Sequence, residues 1–310
     1  MSFDLICILG PTASGKTKFA VQMALGCNGE IISADSRQVY RGMDIGTGKD
    51  LAEYRVTLST GEVLEVPYHL IDIAEAGEKY NLFRYQSDFS RTYDDIVSRG
   101  KTPILCGGTG LYAESVLKGY KLLHVPENKA LREELVSKSS DELKQILASY
   151  GPLHNITDLD SDKRTIRAIE IADFTKLNGA ANTEFEPLKG PVFCIDISRE
   201  ARRERISSRL KSRLEEGMLN EVRQLLDSGI APDDLIYYGL EYKFVTLHLT
   251  GQISYKELFS QLEIAIHQFA KRQMTWFRGM EKRGFSIKYI DYNLSTEDKL
   301  SFILQNCAEH

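Results

Sequence analysis

The sequence predicts an α/β fold, in which a parallel β-sheet is flanked by helices and a helical insertion separates two of the strands. Apolar segments typical of buried strands alternate with helical segments, a glycine-rich loop joins the first strand to a helix, and one long stretch has helical periodicity without strands. The predicted strands are residues 3–9, 30–33, 103–106 and 192–197. This alternation is typical of a parallel sheet covered by helices.

The composition indicates a globular protein and excludes several classes. Of the 310 residues, 42% are hydrophobic, which is enough for a sizeable core. The chain begins without the pattern of a signal peptide and has no run of ~18 apolar residues, so we expect a cytoplasmic protein without a membrane segment. The five cysteines form no C-x-x-C pair and no zinc-site spacing, which predicts free thiols in a reducing compartment.

The net charge of −5 argues mildly against a nucleic-acid partner, because phosphate backbones are bound through clustered Lys and Arg. Two segments have the opposite bias. Residues 199–213 contain seven basic and two acidic side chains, and residues 271–283 contain five basic side chains and one Glu. RNA therefore stays among the partners to consider.

The first predicted strand leads into the sequence GPTASGKT at 10–17, which has the pattern of a phosphate-binding loop, and a helix is predicted after it at 19–25. In such a loop, backbone N–H groups and the start of the helix surround an anion, while the lysine reaches the outer phosphate and the next hydroxyl ligates Mg²⁺. We therefore predict a fold like that of P-loop NTPases, with Thr17 as a ligand of Mg²⁺. The predicted phosphate-binding residues are Gly10, Thr12, Ala13, Ser14, Gly15, Lys16 and Thr17.

Two further polar side chains follow predicted strands. Asp35 comes directly after the second strand, and Thr109 lies in the sequence GGTGLY at 107–112 after the third. Ligands of open α/β sheets bind beyond the carboxyl ends of the strands, so both side chains are expected beside the phosphate loop. Asp35 could bind Mg²⁺ through water, act as a general base, or only cap a turn. The Thr109 hydroxyl can donate and accept a hydrogen bond, although such turns also occur without a ligand.

The remaining elements are mostly helical. A small hairpin is predicted around Thr60 and Gly61, and helices are predicted at 81–99, from 111 to 117, and after residue 197 as far as 280, before a short strand at 286–290 and a last helix. Between about 127 and 177 the pattern is helical throughout. We therefore predict a core of residues 1–126 and 190–310, with a helical insertion at 127–189.

Two groups of side chains after the fourth strand can bind anions or bases. Arginines at 202, 205, 209 and 213 share one face of a predicted helix, where like charges repel unless an anion such as a diphosphate or an RNA backbone faces them. A solvated surface is the alternative. Trp276, the only tryptophan, lies among Lys and Arg residues and could stack on a base, or it could belong to the hydrophobic core.

Taken together, these motifs resemble the tRNA dimethylallyltransferase family across nearly the whole chain. The matching segments are GPTASGKT at 10–17, DSRQVYRGMDIGTGK at 35–49, GGTGLY at 107–112, DKRTIRAIEI at 162–171, the arginine helix at 202–213, EEGMLNEV at 215–222, YYGLEYK at 237–243 and AKRQMTWFR at 270–278. Two segments depart from the family pattern. Residues 158–162 lack its His-Pro-Asn-Asp type of sequence, and Lys243 stands where an arginine is commoner.

The resemblance implies an enzyme that binds dimethylallyl diphosphate and Mg²⁺ in the phosphate loop. Such an enzyme transfers the dimethylallyl group to N6 of adenine 37 in tRNAs that read codons starting with U, and it releases diphosphate. Carried onto this chain, Asp35 would accept a proton from N6, and Thr109 would form a hydrogen bond near the reacting centre. Lys16, Thr17 and Arg209 would neutralise the diphosphate.

The resemblance also implies contacts with the anticodon stem-loop of tRNA, from which the target adenine must flip to reach a deep site. The helical insertion would hold the anticodon stem, and the protein is expected to act as a monomer. The residues implied in tRNA binding are Asp35, Ser36, Arg37, Gln38, Arg164, Arg167, Lys243, Arg272, Gln273 and Trp276.

Three alternatives stay open at this point. An isopentenyltransferase acting on free adenine nucleotides would share the loop, but it would not need the helical insertion or the basic C-terminal region. A nucleotide kinase would use the loop for ATP and would need arginines over the γ-phosphate. In a non-catalytic RNA-binding protein or NTP-dependent switch, Asp35 and Thr109 would be dispensable.

Overall fold

The computed structural model describes residues 3–58, 60–151, 156–179 and 185–307. The chain divides into two compact units, a larger one formed by Met1–Lys118 with Pro187–His310 and a smaller one formed by Gly119–Glu186. Among the described residues, none of the helices combines the length and the hydrophobicity that a membrane-spanning segment requires.

The helices and strands follow one another in three parts. The first part of the larger unit contains β1 (Ile6–Leu9), α1 (Lys16–Cys27), β2 (Gly29–Ser33), β3 (Arg55–Thr57), β4 (Val63–Glu65), β5 (Tyr68–His69), α2 (Leu82–Ser98), β6 (Thr102–Gly107) and α3 (Gly110–Leu117). The smaller unit contains α4 (Lys129–Val136), α5 (Ser140–Ser149) and α6 (Asp162–Asn178). The larger unit resumes with β7 (Val192–Asp196), α7 (Arg199–Glu215), α8 (Met218–Asp227), α9 (Pro232–Tyr238), α10 (Leu240–Leu249), α11 (Tyr255–Lys282), β8 (Ile287–Asp291) and α12 (Thr296–Cys307).

The larger unit is built on a six-stranded sheet in the order β5-β2-β6-β1-β7-β8, and every pairing in it is parallel. The predicted α/β fold with a parallel sheet flanked by helices is therefore confirmed. The predicted hairpin is also present, as the antiparallel pair of β3 and β4. Because β2, β6 and β1 are neighbours and run in the same direction, the loops that follow them leave the sheet at one edge.

The core of the larger unit explains why its strands are apolar at successive positions. All residues of β1 and β2 are buried, because parallel strands are covered on both faces. Ile8, Ile31 and Ile104 pack with Phe19 of α1 and Ile303 of α12 in one cluster. Each such side chain contributes roughly 1.5–3 kcal/mol when it is fully buried.

The smaller unit is a group of three helices with its own apolar core. Leu135 of α4, Leu143 and Leu147 of α5, and Ile166 and Ile169 of α6 form this core. Helix α5 begins with a capping box, in which the Ser139 and Glu142 side chains each bind the other residue's backbone N–H. These features account for the helical pattern of this part of the sequence.

Glu30 is a charged side chain among the buried residues of β2. Its carboxylate accepts hydrogen bonds from both terminal nitrogens of Arg99, which follows α2, with Nη2 at 2.8 Å, and it lies 2.7 Å from Nε2 of His69 in β5. The hydrogen bonds from Arg99, and secondly that from His69, outweigh the effect of burial and lower the pKa of Glu30 to about 2. The cluster joins α2 to the edge of the sheet.

We predict that Glu30→Gln lowers the free energy of unfolding by about 3 kcal/mol at pH 7, because it removes the charge that Arg99 stabilises. The pKa of Glu30 is lower in the folded chain than in the unfolded chain, so this stabilisation is present above pH ~4.5 and is lost as the pH falls towards ~2. Urea unfolding at neutral pH and at about pH 3 would measure it, with the exposed Glu62→Gln as control. A difference that does not shrink with falling pH would contradict this role.

Candidate active site

The loop between β1 and α1 has the backbone expected of an anion-binding loop. Ala13 and Gly15 have φ angles of 61° and 77°, in the left-handed region. Such a conformation is uncommon for alanine and is found most often at functional sites. Helix α1 begins at Lys16 and has no acidic residue in its first turn. The partial positive charge at the start of the helix is therefore available to an anion.

This loop forms one wall of a cavity of about 720 Å³, which is the size of a small-molecule site. The other walls come from the ends of β2 and β6 and from the sides of α7, α10 and α11. The predicted site residues that line the cavity are Thr12, Ala13, Gly15, Lys16, Thr17, Asp35, Ser36, Arg37, Gln38, Thr109, Arg209, Arg272, Gln273 and Trp276. Gly10 and Ser14 are buried within the loop itself.

Asp35 and Thr109 lie on the two turns that follow β2 and β6, and these turns are hydrogen-bonded to each other. The Thr109 hydroxyl accepts a hydrogen bond from Ser36 N (3.0 Å) and donates one to Ser36 Oγ (3.3 Å). Asp35 Oδ1 accepts a hydrogen bond from Arg37 N (3.0 Å), so Asp35 does cap a turn. Its Oδ2 has no hydrogen-bond partner within the described ranges, which leaves this oxygen available to a substrate.

Gln273 of α11 connects the phosphate loop to the turn after β6. Its Oε1 accepts a hydrogen bond from Thr12 N (2.8 Å), and its Nε2 donates one to Gly108 O (2.9 Å). A Cβ at Gly108 would lie 2.4 Å from Gln273 Nε2, so a side chain at this position would displace the amide of Gln273. The amide of Gln273 thus holds two loops in place, and its contact with tRNA stays a prediction.

Arg37 and Gln38 are also held by the protein. Arg37 Nη1 donates a hydrogen bond to Glu241 Oε2 (3.1 Å), and the guanidinium lies 4.7 Å from the ring centroid of Phe269. Gln38 Nε2 donates to Gly48 O (3.0 Å). These contacts fix the segment after Asp35 against α10 and the loop at 44–50.

Trp276 lies at the edge of the cavity and not in the core, since it is 38% exposed. Its indole packs on Gly110, where a Cβ would lie 2.1 Å from Trp276 Cδ1. The indole N–H donates to Glu114 Oε2 (3.0 Å), and Arg283 forms two hydrogen bonds of 2.6 Å with the same buried carboxylate. The orientation of the ring is therefore fixed while one side remains accessible.

Two charged side chains, Glu221 and Lys49, hold the segment at 44–50 in place. Glu221 of α8 accepts hydrogen bonds from the backbone N–H groups of Asp44, Ile45 and Gly46, at 2.7–3.0 Å. Lys49 is buried and its Nζ bonds to Tyr40 O (2.5 Å), to Asp44 Oδ1 (2.7 Å) and to Asp72. This anchoring places the next residue, Asp50, at the cavity wall.

The arginines of α7 have two kinds of contact: one binds the backbone of the phosphate loop, and two lie beside Asp50 at the cavity wall. Arg205 Nε donates to Ala13 O (2.8 Å) and supports the phosphate loop. Arg209 forms an ion pair with Asp50, and Arg213 lies 3.6 Å from the same carboxylate. Asp50 was not predicted as a site residue, although it follows the GTGK motif. Arg213 belongs to the arginine face for which an anion or a solvated surface was considered, but it was not among the predicted site residues.

Three of the predicted tRNA-binding residues are not among the residues that line this cavity. Lys243 is exposed on α10, and its Nζ is 5.4 Å from the ring centroid of Phe244. Within the smaller unit, Arg164 forms an ion pair with Asp160 (2.8 Å), and Arg167 bonds to Glu170 and to Val125 O (2.8 Å). Their contacts with tRNA stay predictions.

The fold and the cavity together are typical of P-loop proteins, with a loop after β1 and several arginines at the cavity wall. Residues 38–280 match the family model described as IPP transferase, and residues 3–58 match the one described as isopentenyl transferase. The chain is 60% identical over 300 residues to tRNA dimethylallyltransferase 1 of Parabacteroides distasonis, covering 97% of this chain and 96% of that protein. It is 60% identical over 301 residues to the protein of the same name from Porphyromonas gingivalis, covering 97% and 98%. The chain belongs to the tRNA dimethylallyltransferase family.

Solved structures agree with this assignment. The tRNA isopentenylpyrophosphate transferase of Bacillus halodurans is 32% identical, with a TM-score of 0.70, and the match covers 98% of this chain and 95% of that chain. A eukaryotic dimethylallyltransferase acting on tRNA has a TM-score of 0.73 at 24% identity, covering 93% of this chain and 73% of that chain. This second similarity concerns the fold alone.

We predict that Gln273→Leu lowers the free energy of unfolding by about 2 kcal/mol, because it leaves Thr12 N and Gly108 O without their partner. Leucine has a similar volume, so packing changes little. Gln268→Leu, an exposed position on the same helix, is the matched control and should change stability by less than about 0.5 kcal/mol. Equal effects of the two substitutions in urea unfolding would refute the bridging role.

Proposed function

We propose that the protein transfers the dimethylallyl group of dimethylallyl diphosphate to N6 of adenine 37, in tRNAs that read codons starting with U, and releases diphosphate. The observation that carries this proposal is the grouping of a phosphate loop, a carboxylate and a hydroxyl around one cavity. Lys16 supplies positive charge for a diphosphate, while Asp35 and Thr109 line the same space. This arrangement suits a reaction in which a diphosphate leaves and an amine loses a proton.

The proposed step is a substitution at C1 of the dimethylallyl group. The N6 lone pair forms the new C–N bond, and the electron pair of the broken C–O bond goes to the departing diphosphate. Asp35 accepts the proton that N6 loses, and Oδ2 is the oxygen free to do so. The loop N–H groups, Lys16 and Arg209 offset the charge that develops on the diphosphate.

Mg²⁺ fits the oxygen donors at the loop, and we propose that Thr17 binds it together with the diphosphate. Within the described residues there is no cluster of three or more His, Cys, Asp or Glu side chains arranged as a metal site, and Mg²⁺ is often held by few protein groups and by phosphates. Burial, and secondly Asp50, raises the pKa of Glu53 at the cavity wall, so a nearby cation would be favourable. When bound, the ion would neutralise part of the diphosphate charge.

For tRNA, we propose that the flipped adenine enters the cavity and that its neighbours contact the exposed edge of Trp276. Arg272 is exposed beside it and would reach a phosphate. Arg164, Arg167 and Lys243 would contact the anticodon stem-loop, and the enzyme would act as a monomer. Relatives of about 60% identity across the whole chain carry the tRNA-modifying name, so the adenine-nucleotide transferase and the kinase are not favoured.

We predict that incubation with unmodified tRNA, dimethylallyl diphosphate and Mg²⁺ adds one dimethylallyl group to one adenine per tRNA. Mass spectrometry of nucleosides from the digested tRNA would detect the product. Modification of free adenosine monophosphate in place of tRNA would support the adenylate transferase. ATP consumption with a small phosphate acceptor and no tRNA product would support the kinase.

We also predict that Asp35→Asn lowers the turnover number by roughly 100-fold, because the amide keeps the shape of the side chain but cannot accept the proton. Single-turnover rates with saturating tRNA would measure this change, and tRNA affinity should be largely kept. Asp94→Asn, an exposed carboxylate on α2, is the matched control and should leave the rate unchanged. An unchanged rate for Asp35→Asn would remove the assigned role.

A further inference from the structure

Arg213 is buried in the wall of the cavity without adequate partners. It is 8% exposed, and its guanidinium lies against Gly48, where a Cβ would be 2.1 Å from Nη2. Within the described part of the chain, Nη2 has no hydrogen-bond partner. The Asp50 Oδ1 atom, at 3.6 Å, forms an ion pair with Nη2 but is too far away for a good hydrogen bond. A buried charged group with an unsatisfied donor is costly, so this arrangement favours the binding of a further hydrogen-bond acceptor.

The electrostatics around Arg213 point to an anion. Burial lowers the pKa of Arg213, and the positive charge of Arg209 lowers it further. The two arginines are four residues apart on α7 and repel each other. Asp50 is a single carboxylate shared between them, while the nearby Glu241 is already paired with Arg37 at 3.1 Å.

The two arginines lie where an anion bound in the phosphate loop could reach them. Arg209, Arg213 and Asp50 line the same cavity as Lys16, and Arg209 and Arg213 also line a small recess beside Thr12 and Ala13 of the phosphate loop. A diphosphate carries more charge and more acceptor oxygens than one carboxylate, so it can serve both arginines at once.

We propose that Arg213 is a further diphosphate-binding residue, and that the incoming diphosphate replaces the carboxylate of Asp50 on Arg209 and Arg213. This inference rests on the proposed function. In the free protein, Asp50 keeps the two arginines oriented and partly neutralised. During binding, it competes with the diphosphate for them and makes binding weaker than the arginines alone would allow.

Titration calorimetry with inorganic diphosphate and Mg²⁺ tests binding without the reaction. Arg213→Met should weaken diphosphate binding by roughly 10-fold or more, because charge-assisted hydrogen bonds are lost. Lys211→Met, an exposed position on the same helix with the same change of charge, should leave binding within about twofold. Arg213→Met should remain folded, since an apolar group of similar volume can replace a poorly paired buried charge. Circular dichroism would confirm this.

Asp50→Asn tests whether Asp50 competes with the diphosphate for Arg209 and Arg213 or helps to bind it. It should tighten diphosphate binding by about fivefold or more in the wild-type background, and it should have no such effect when Arg209 and Arg213 are both Met. Wild-type affinity in Arg213→Met, or weaker binding in Asp50→Asn, would overturn the inference. A different result would contradict the proposed function itself: if the phosphate loop does not bind diphosphate, Lys16→Met should leave diphosphate binding unchanged.

Discussion

The parallel pairing of β2 with β6 and of β6 with β1 is the constraint on which the site depends. Ile31 lies opposite Ile104, and Ile6 lies opposite the same residue on the other side, so three chain segments leave the sheet together. The phosphate loop follows β1, Asp35 follows β2, and the turn that contains Thr109 follows β6. The predicted phosphate loop and the two polar side chains proposed to take part in the reaction thus meet at one edge, although they are far apart in sequence.

Long-range hydrogen bonds then set the geometry within this edge. Gln273 joins two loops across a sequence separation of 261 residues to Thr12, and Arg205 supports Ala13 from α7. These partners are backbone groups, which offer fixed positions for a buried side chain. The helices after β7 therefore do more than cover the sheet, because they hold the loop between β1 and α1 in its observed conformation.

Local patterns predicted what depends on local chemistry. The apolar strands and the hairpin are predictable from residue types and spacing, and the structure confirms them, while the phosphate-binding role of the loop at 10–17 stays a prediction. Strand β5 was not predicted, because its two residues are too few to show a pattern. The bridging role of Gln273 was not predicted either. A glutamine amide binds bases and backbone groups equally well, and only the fold shows that Thr12 N and Gly108 O are its partners.

Charge placement links the fold to the reaction. Lys16, Arg209 and Arg213 surround one cavity, and Asp50 is the carboxylate that two of them share. These three side chains suit the diphosphate that we propose as the leaving group, whereas the carboxylate of Asp35 lies on a separate turn, at the proposed position of the amine. In the proposed reaction, the cations would stabilise the negative charge of the departing diphosphate, and Asp35 would take up the proton that the amine loses.

The most direct test of this account is the stoichiometry of products in a single turnover with labelled dimethylallyl diphosphate and excess enzyme. One diphosphate should be released for each dimethylallyl group found on tRNA, and a tRNA with guanine in place of adenine 37 should give neither product. Release of orthophosphate, or of diphosphate without modified adenine, would contradict the account.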